Sequence, residues 1–335
     1  MSVISEGDAE APEPGLVGGG AIFLFLGAML AGAVFGSAAP EAGAALSATV
    51  DPTLYALIFL LLLELRLGAV LRGFGDLRYL GLAWGANFLI APVIGFLIAL
   101  ALFADQPLLL TAMVIYFMAP CTDWFLGFTR MARGDTAMGA ALIPINLLSQ
   151  LALFPFWLWL FTSHTGVVDF SVLPALLAQW FLLPLIAAQI VRFAVEKGLS
   201  AALAERVIGW AGSLSQLLIA ALIFQIFAVN IGAVTAQLEL VPLILLAVFL
   251  YFVAVFAVSE GLSRAAGLSY PRRALLSVSL SARNAPLMLA VTAVALPEHP
   301  EILAAIVIGM LIEFPHLAAL KELLLWRRSR ERARG

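Results

Sequence analysis

Ten apolar windows, each long enough to cross a lipid bilayer, follow one another along the chain with short polar breaks between them. They lie near residues 17–38, 53–70, 80–103, 107–129, 137–163, 171–193, 212–232, 240–262, 274–297 and 301–325. A hydrocarbon core of about 30 Å requires roughly 20 apolar residues in a helix. Of the 335 residues, 63% are hydrophobic and 12% are charged, more apolar surface than a soluble domain could bury. The pattern predicts an all-α polytopic membrane protein with ten transmembrane helices.

Lysine and arginine residues outside the windows are confined to alternate breaks. The even-numbered breaks and the C-terminal end carry the cations, whereas the odd-numbered breaks carry carboxylates and histidines without Lys or Arg. Basic loops are retained in the cytoplasm. The alternation therefore predicts a multi-pass protein of the cell (plasma) membrane with both termini in the cytoplasm.

The same pattern divides the chain into a transporter domain and two tails. We predict an acidic cytoplasmic tail at 1–16, a ten-helix domain at 17–325 and a basic cytoplasmic tail at 326–335. Because five spans are an odd number of crossings, the second half of the domain begins on the opposite side of the membrane and is inverted relative to the first half. Ten spans thus permit two inverted five-helix repeats, 17–163 and 171–325.

Proline interrupts corresponding windows of the two halves. Pro120 and Pro286 lie beside polar and ionic residues in the fourth and ninth windows, and Pro144 and Pro315 lie in the fifth and tenth. Paired interruptions of this kind point to a transporter binding site. Proline also kinks membrane helices without any functional role, and this alternative stays open.

Three ionisable residues within apolar windows are candidates for a transport site: Arg283, Asp123 and Glu313. Arg283 is costly in lipid, so it should face protein or a water-filled cavity and have a partner. Asp123 is the expected partner, because an isolated buried charge is costly. The pair is either a structural salt bridge or a functional pair in which Asp123 exchanges a proton, since arginine keeps its own proton. Glu313 could store a proton without burying a charge. Its alternative is a neutral side chain bonded to backbone that Pro315 leaves free.

Cys121 is the only cysteine, so an internal disulfide is impossible. A thiolate in a polar, broken helix suits soft trivalent arsenic or antimony, although a lone buried cysteine is often an inert small hydrophobe. Thr122, Asn146 and Asn284 are further candidate substrate-binding residues, with interhelical hydrogen bonding as their alternative.

Several classes of function lack the residues that they need. The chain has three histidines and no His/Cys cluster, no phosphate-binding loop, no Ser/His/Asp arrangement and no basic nucleic-acid face. We therefore expect no enzyme activity, no catalytic residue, no cofactor, no metal site and no nucleic-acid partner. The expected partners are protons, the bilayer, and a small inorganic or organic anion or neutral oxyacid.

Motifs in four windows are similar to those of a known transporter family. They are Asn87-Phe88 with Ala91-Pro92 in the third window, Cys121 in the fourth with Gly134-Asp135 in the break that follows it, Asn146 in the fifth, and Ile308-Gly309-Met310-Leu311-Ile312-Glu313-Phe314-Pro315 in the tenth. On these residues the chain resembles the bile acid:sodium symporter superfamily. Within it, the chain is most similar to the arsenite-efflux permeases of the arsenical-resistance family.

The resemblance implies a fold and an activity. It implies two inverted repeats in which helices four and nine are unwound and cross near mid-membrane. It also implies export of arsenite, and sometimes antimonite, by proton antiport, with the essential cysteine and glutamate at Cys121 and Glu313. The prediction is a secondary active exporter of a small metalloid oxyacid. The alternative is sodium- or proton-coupled transport of an organic anion, although Arg283-Asn284 stand where the sodium-coupled branch has Gln-Asn.

Overall fold

A computed structural model describes residues 19–64, 76–122, 124–171, 174–175, 178–235 and 238–332. These residues form helices and contain no strand, which confirms the prediction of an all-α fold. Two segments, Ala86–Ile90 and Ala178–Leu182, are π-helical. The helices are α1 (Gly19–Ala38), α2 (Pro40–Ala45), α3 (Ser47–Glu64), α4 (Leu77–Phe103), α5 (Pro107–Met118), α6 (Phe125–Met131), α7 (Thr136–Thr162), α8 (Ala178–Gly198), α9 (Ala201–Thr235), α10 (Val241–Ala265), α11 (Tyr270–Ser281), α12 (Ala285–Ala295) and α13 (Pro300–Arg332).

Among the described residues, seven helices are long and apolar enough to cross a membrane. Three shorter apolar helices accompany them: Phe23–Ala38, Pro107–Met118 and Ala285–Ala295. The last two are α5 and α12, and each adjoins a break in a longer apolar window. The chain is therefore a multi-pass helical membrane protein in which two windows are divided into shorter helices.

Two sequence expectations differ from the structure. The break between the sixth and seventh windows, 171–193 and 212–232, is almost entirely helical, because α8 continues to Gly198 and α9 begins at Ala201. An ion pair one helical turn apart, Arg192–Glu196 at 2.9 Å, supports the end of α8. Likewise, Pro144 and Pro315 lie inside the continuous helices α7 and α13. The fifth and tenth windows are therefore not interrupted, in agreement with the tolerance of membrane helices for proline.

The helices pack in two groups that meet along α9 and α13. In the first group α1, α3 and α8 surround α9, and the second contains α4 to α7 and α10 to α13. Glycine allows α1 to approach α9 closely. A Cβ atom on Gly32 would lie 2.4 Å from the carbonyl oxygen of Phe224, and one on Gly36 would lie 2.3 Å from that of Ala228. Larger residues at these positions would push the two helices apart.

Ion pairs connect separate helices at one end of the second group. Arg272, at the start of α11, pairs with Asp76, which precedes α4. Arg273 pairs with Glu331 of α13 at 2.6 Å. The backbone N–H of Tyr79, followed by the guanidinium of Arg272, holds the pKa of Asp76 below its ordinary value. The breaks that precede α4 and α11 therefore lie at the same end of the bundle as the C-terminal part of α13.

Candidate functional site

The breaks in the fourth and ninth windows lie against each other. Helix α5 ends at Met118 and α6 begins at Phe125, while α11 ends at Ser281 and α12 begins at Ala285. Between these ends, Pro120 and Arg283 form an isolated antiparallel bridge. We call this meeting point the crossing.

Backbone hydrogen bonds hold the crossing together. The N–H of Cys121 donates to the carbonyl oxygen of Ala282 at 3.0 Å, and the N–H of Asn284 donates to that of Ala119 at 2.9 Å. Unwound backbone in a membrane is tolerated only where protein or water satisfies its polar groups. Each break therefore supplies hydrogen-bond partners for the other.

Local sequence explains why the helices stop here. Pro120 has no N–H to continue the helical ladder of α5. At the second break, Asn284 is the N-cap of α12, and its side chain accepts a hydrogen bond from the N–H of Leu287 at 3.3 Å. Pro286 occupies the first turn of α12, where a missing N–H costs nothing.

Arg283 is fully buried, and its guanidinium contacts the C-terminal ends of two half-helices. It donates to the carbonyl oxygens of Phe117 at 3.1 Å, Ser279 at 3.0 Å and Leu280 at 2.7 Å. It also donates to the amide oxygen of Asn87 at 3.3 Å. The C-terminus of a helix carries partial negative charge. The fixed cation is therefore compensated by the ends of α5 and α11.

The predicted partner of Arg283, Asp123, lies outside the described residues. Among the described residues, the hydrogen-bond acceptors of the guanidinium are carbonyl and amide oxygens, and the ring of Tyr251 lies 5.5 Å away. A pair between Asp123 and Arg283 stays a prediction. The sequence did not predict the contact with Asn87, which ties the π-helical segment of α4 to the crossing.

Glu313 is fully buried on α13 and contacts both breaks. Its Oε1 accepts hydrogen bonds from the indole Nε1 of Trp124 at 2.9 Å and from the backbone N–H of Arg283 at 3.0 Å. Its Oε2 accepts one from the hydroxyl of Tyr116 at 2.9 Å. Three donors thus converge on one carboxyl group at the crossing, an arrangement that can stabilise a negative charge.

The other predicted site residues fall into two places. Cys121 is buried at the crossing, and beside it Thr122 accepts a hydrogen bond from the side chain of Asn284 at 3.0 Å. Asn146 is buried on α7, which packs against α5 and α6. Neither amide atom of Asn146 has a hydrogen-bond partner among the described residues. The structure therefore brings Cys121, Thr122 and Asn284 together with Arg283 and Glu313.

Three aromatic residues at the crossing were missed by sequence reasoning. Tyr116 and Trp124 bond to Glu313, and Tyr251 stacks on Phe117 with ring centroids 4.3 Å apart. Aromatic residues are common in membrane helices, so their identity gives no signal. The proximity of Tyr116 and Trp124 to the Pro120 break is the one feature that could have identified them.

Similarity to known proteins extends over most of the chain. The chain is 27% identical over 266 residues to the arsenical-resistance protein Acr3 of Corynebacterium glutamicum, covering 75% of this chain and 71% of that protein. The model of the Sodium Bile acid symporter family matches residues 52–237, more than half of the 335 residues. The chain therefore belongs to the sodium bile acid symporter family.

Proposed function

We propose that this chain is a secondary active transporter that exports a small metalloid oxyacid, arsenite or antimonite, in exchange for protons. The observation that carries the proposal is the crossing, where a cysteine and a buried cation lie on two paired breaks and a buried carboxyl group of α13 contacts both breaks. Similarity to an arsenical-resistance protein supports the choice of substrate. Broken helices that meet within a bundle are the usual site of substrate and ion binding in secondary transporters.

The proposed architecture is ten spans in two inverted five-helix repeats, 17–163 and 171–325, with both termini in the cytoplasm. In this scheme α5 with α6, and α11 with α12, are the corresponding broken spans of the two repeats. The ion pairs that bring Asp76, Arg272 and Glu331 to one end support a shared cytoplasmic side for two basic breaks and the tail.

Cys121 is the proposed ligand of the metalloid. Trivalent arsenic and antimony prefer sulfur, and Cys121 is the only thiol of the chain. One thiolate binds the metalloid less tightly than a cluster of thiolates would, so the substrate can still be released on the far side of the membrane. Thr122 and Asn284 lie beside it and could contact the hydroxyl groups of the substrate.

Glu313 is the proposed proton carrier, and Tyr116 can form a hydrogen bond with its ionised form and with its protonated form. The Tyr116 hydroxyl lies 2.9 Å from Glu313 Oε2 and 3.0 Å from the carbonyl oxygen of Gly309, but it has a single hydrogen. An ionised carboxylate would accept that hydrogen. A protonated carboxyl group would donate to the tyrosine oxygen, and the tyrosine hydrogen would turn to Gly309. Asp123 stays a second candidate for proton exchange.

Arg283 is the proposed substitute for a bound coupling cation. Its guanidinium is held by oxygens at the ends of α5 and α11, where a monovalent cation would otherwise find favourable partial charges. Arginine does not release its proton. The charge is therefore permanent, and we propose that transport does not require sodium.

Organic-anion transport is the second candidate, because the matching family is described by its bile acid symporters. Cys121 discriminates between the two functions. A metalloid carrier should require the thiol, whereas an organic-anion carrier should accept serine in its place. The test is growth on arsenite in a bacterial strain that lacks its own efflux pump, with the wild-type chain and Cys121→Ser expressed at equal levels. If the wild type confers no resistance, metalloid export is the wrong function.

A further inference from the structure

A narrow cleft beside the first break is lined by polar side chains that have no hydrogen-bond partner in the described part of the chain. Gln150 and Trp157 of α7 line the cleft together with Phe88 of α4 and with Met118 and Ala119, where α5 ends. Gln150 is 3% exposed and Trp157 is 8% exposed. Neither amide atom of Gln150 has a hydrogen-bond partner among the described residues, and neither does the indole nitrogen of Trp157.

Unpaired polar groups of this kind are unusual inside a protein. Buried side-chain polar atoms normally have a partner, and a buried indole N–H usually finds one. Asn146 precedes Gln150 by one helical turn and has two more unpartnered amide atoms. Five such atoms therefore follow one stretch of α7 beside the break that contains Cys121.

The chemistry of these groups matches hydroxyl groups on an uncharged solute. Each amide offers both donors and an acceptor, and the indole offers one donor. None of the described residues that line the cleft is charged. The described hydrogen bonds of the Arg283 guanidinium, the cation of the crossing, go to carbonyl and amide oxygens. An anion in the cleft would therefore lack a compensating charge.

We infer that Gln150, Trp157 and Asn146 form the wall of the transport site that binds the hydroxyl groups of the substrate in its uncharged form. This inference rests on the proposed metalloid transport and makes these three residues determinants of its specificity. In arsenous acid, As(OH)₃, the arsenic atom would contact Cys121 while the hydroxyl groups contact the wall of α7.

The cleft is too narrow for a water molecule in this conformation. Substrate can therefore reach Gln150 and Trp157 only when the cleft widens. Their unpaired groups raise the free energy of the closed cleft, so the open, substrate-bound conformation gains hydrogen bonds that the closed one lacks.

Counting hydroxyl groups provides a test. Methylarsonous acid, CH₃As(OH)₂, is uncharged and thiophilic like arsenous acid but has a methyl group in place of one hydroxyl. A site that hydrogen-bonds a substrate hydroxyl rejects an analogue that lacks it, because its own polar groups are then left unpaired. The wild-type chain should therefore prefer arsenous acid, and removing the polar wall should weaken that preference.

The experiment measures kcat and KM for both compounds in everted membrane vesicles that contain the wild type, Gln150→Leu or Trp157→Phe. We expect each variant to raise the KM for arsenous acid roughly three- to tenfold, the effect of one lost hydrogen bond. The preference over methylarsonous acid should fall by the same factor, with kcat largely retained. Trp84→Phe is the matched control, because its indole N–H bonds to Ser149 at 2.9 Å and does not line the cleft.

The outcomes separate the inference from the function on which it rests. If the wild type transports arsenous acid but both cleft variants keep its KM and its preference, the inference is wrong and metalloid transport stands. If the wild type transports neither compound, both are wrong. Should Gln150→Leu fail to accumulate in the membrane, Gln150→Met, which is similar in volume, provides the same measurement together with Trp157→Phe.

Discussion

The carboxyl group of Glu313 accepts a hydrogen bond from the backbone N–H of Arg283, with the oxygen and nitrogen 3.0 Å apart. Glu313 therefore contacts the main chain of the second break, whereas the guanidinium of Arg283 extends to Phe117, Ser279 and Leu280. A change of charge on Glu313 would act directly on the backbone of the crossing.

Replacing Trp124 with phenylalanine should move the pH dependence of transport to higher pH. The ionised carboxylate of Glu313 would lose one of its three donors, so the group would keep its proton at higher pH. A hydrogen bond to a charged group contributes about 1.5–3 kcal/mol, which corresponds to a shift of roughly one to two pH units. The measurement is the pH profile of arsenite uptake in everted vesicles.

Trp84→Phe is the control for this change, because the Trp84 indole bonds to Ser149 and not to an ionisable group. The profile of the control should match that of the wild type. An unshifted profile for Trp124→Phe would show that the indole does not stabilise the charge of the carrier.

Glu313→Gln should uncouple transport from the proton gradient. Glutamine keeps the size of the side chain and part of its hydrogen bonding, but it cannot titrate. Vesicles with an imposed pH gradient should then accumulate no more arsenite than vesicles without the protein. Gradient-driven uptake at the wild-type rate would assign Glu313 a structural role.

Transport should be independent of sodium, because Arg283 supplies a permanent charge. Uptake that rises with sodium at fixed pH and ionic strength would contradict this prediction.

Arg283→Ala should damage folding or activity. If Asp123 is the partner of Arg283, the single change strands a buried carboxylate at a cost of about 3–5 kcal/mol. The double change of Arg283 and Asp123 to alanine should then be milder than the sum of the two single changes. Strict additivity of the two changes would show that Arg283 and Asp123 are not partners.

The topology can be tested with reporter fusions. A reporter fused after Gln237 should lie in the periplasm, because the break around it lacks Lys and Arg. A reporter fused after Arg272 should lie in the cytoplasm, where the ion pair with Asp76 places two basic breaks together. The opposite locations, Gln237 in the cytoplasm and Arg272 in the periplasm, would contradict the prediction that both termini are cytoplasmic.

Sequence reasoning predicted the helical class because apolar windows of spanning length have few alternatives in lipid. Pro120 and Pro286 also marked where helices end, since proline removes a backbone donor. Pro144 misled the same reasoning, because a continuous helix can contain a proline when neighbouring helices satisfy the freed carbonyl. Whether a proline breaks or merely bends a helix depends on packing that its neighbours in sequence do not encode.

The partners of Arg283 could not be predicted for a different reason. A buried cation in sequence suggests a buried anion, and Asp123, which lies outside the described residues, stays the predicted one. The described acceptors include the backbone carbonyl of Phe117, 166 positions away along the chain. Every residue carries such a carbonyl, so no side-chain pattern reveals which helix ends meet the guanidinium.

Arsenite uptake by everted vesicles tests the central claim most directly. Vesicles with an imposed pH gradient, acidic inside, should accumulate arsenite when they contain the wild-type chain, and collapse of the gradient should abolish accumulation. Cys121→Ser should remove this uptake while the protein still reaches the membrane, because Cys121 is the only thiol. Gradient-driven uptake that persists in Cys121→Ser, or no arsenite uptake by the wild type, would contradict metalloid export through the crossing.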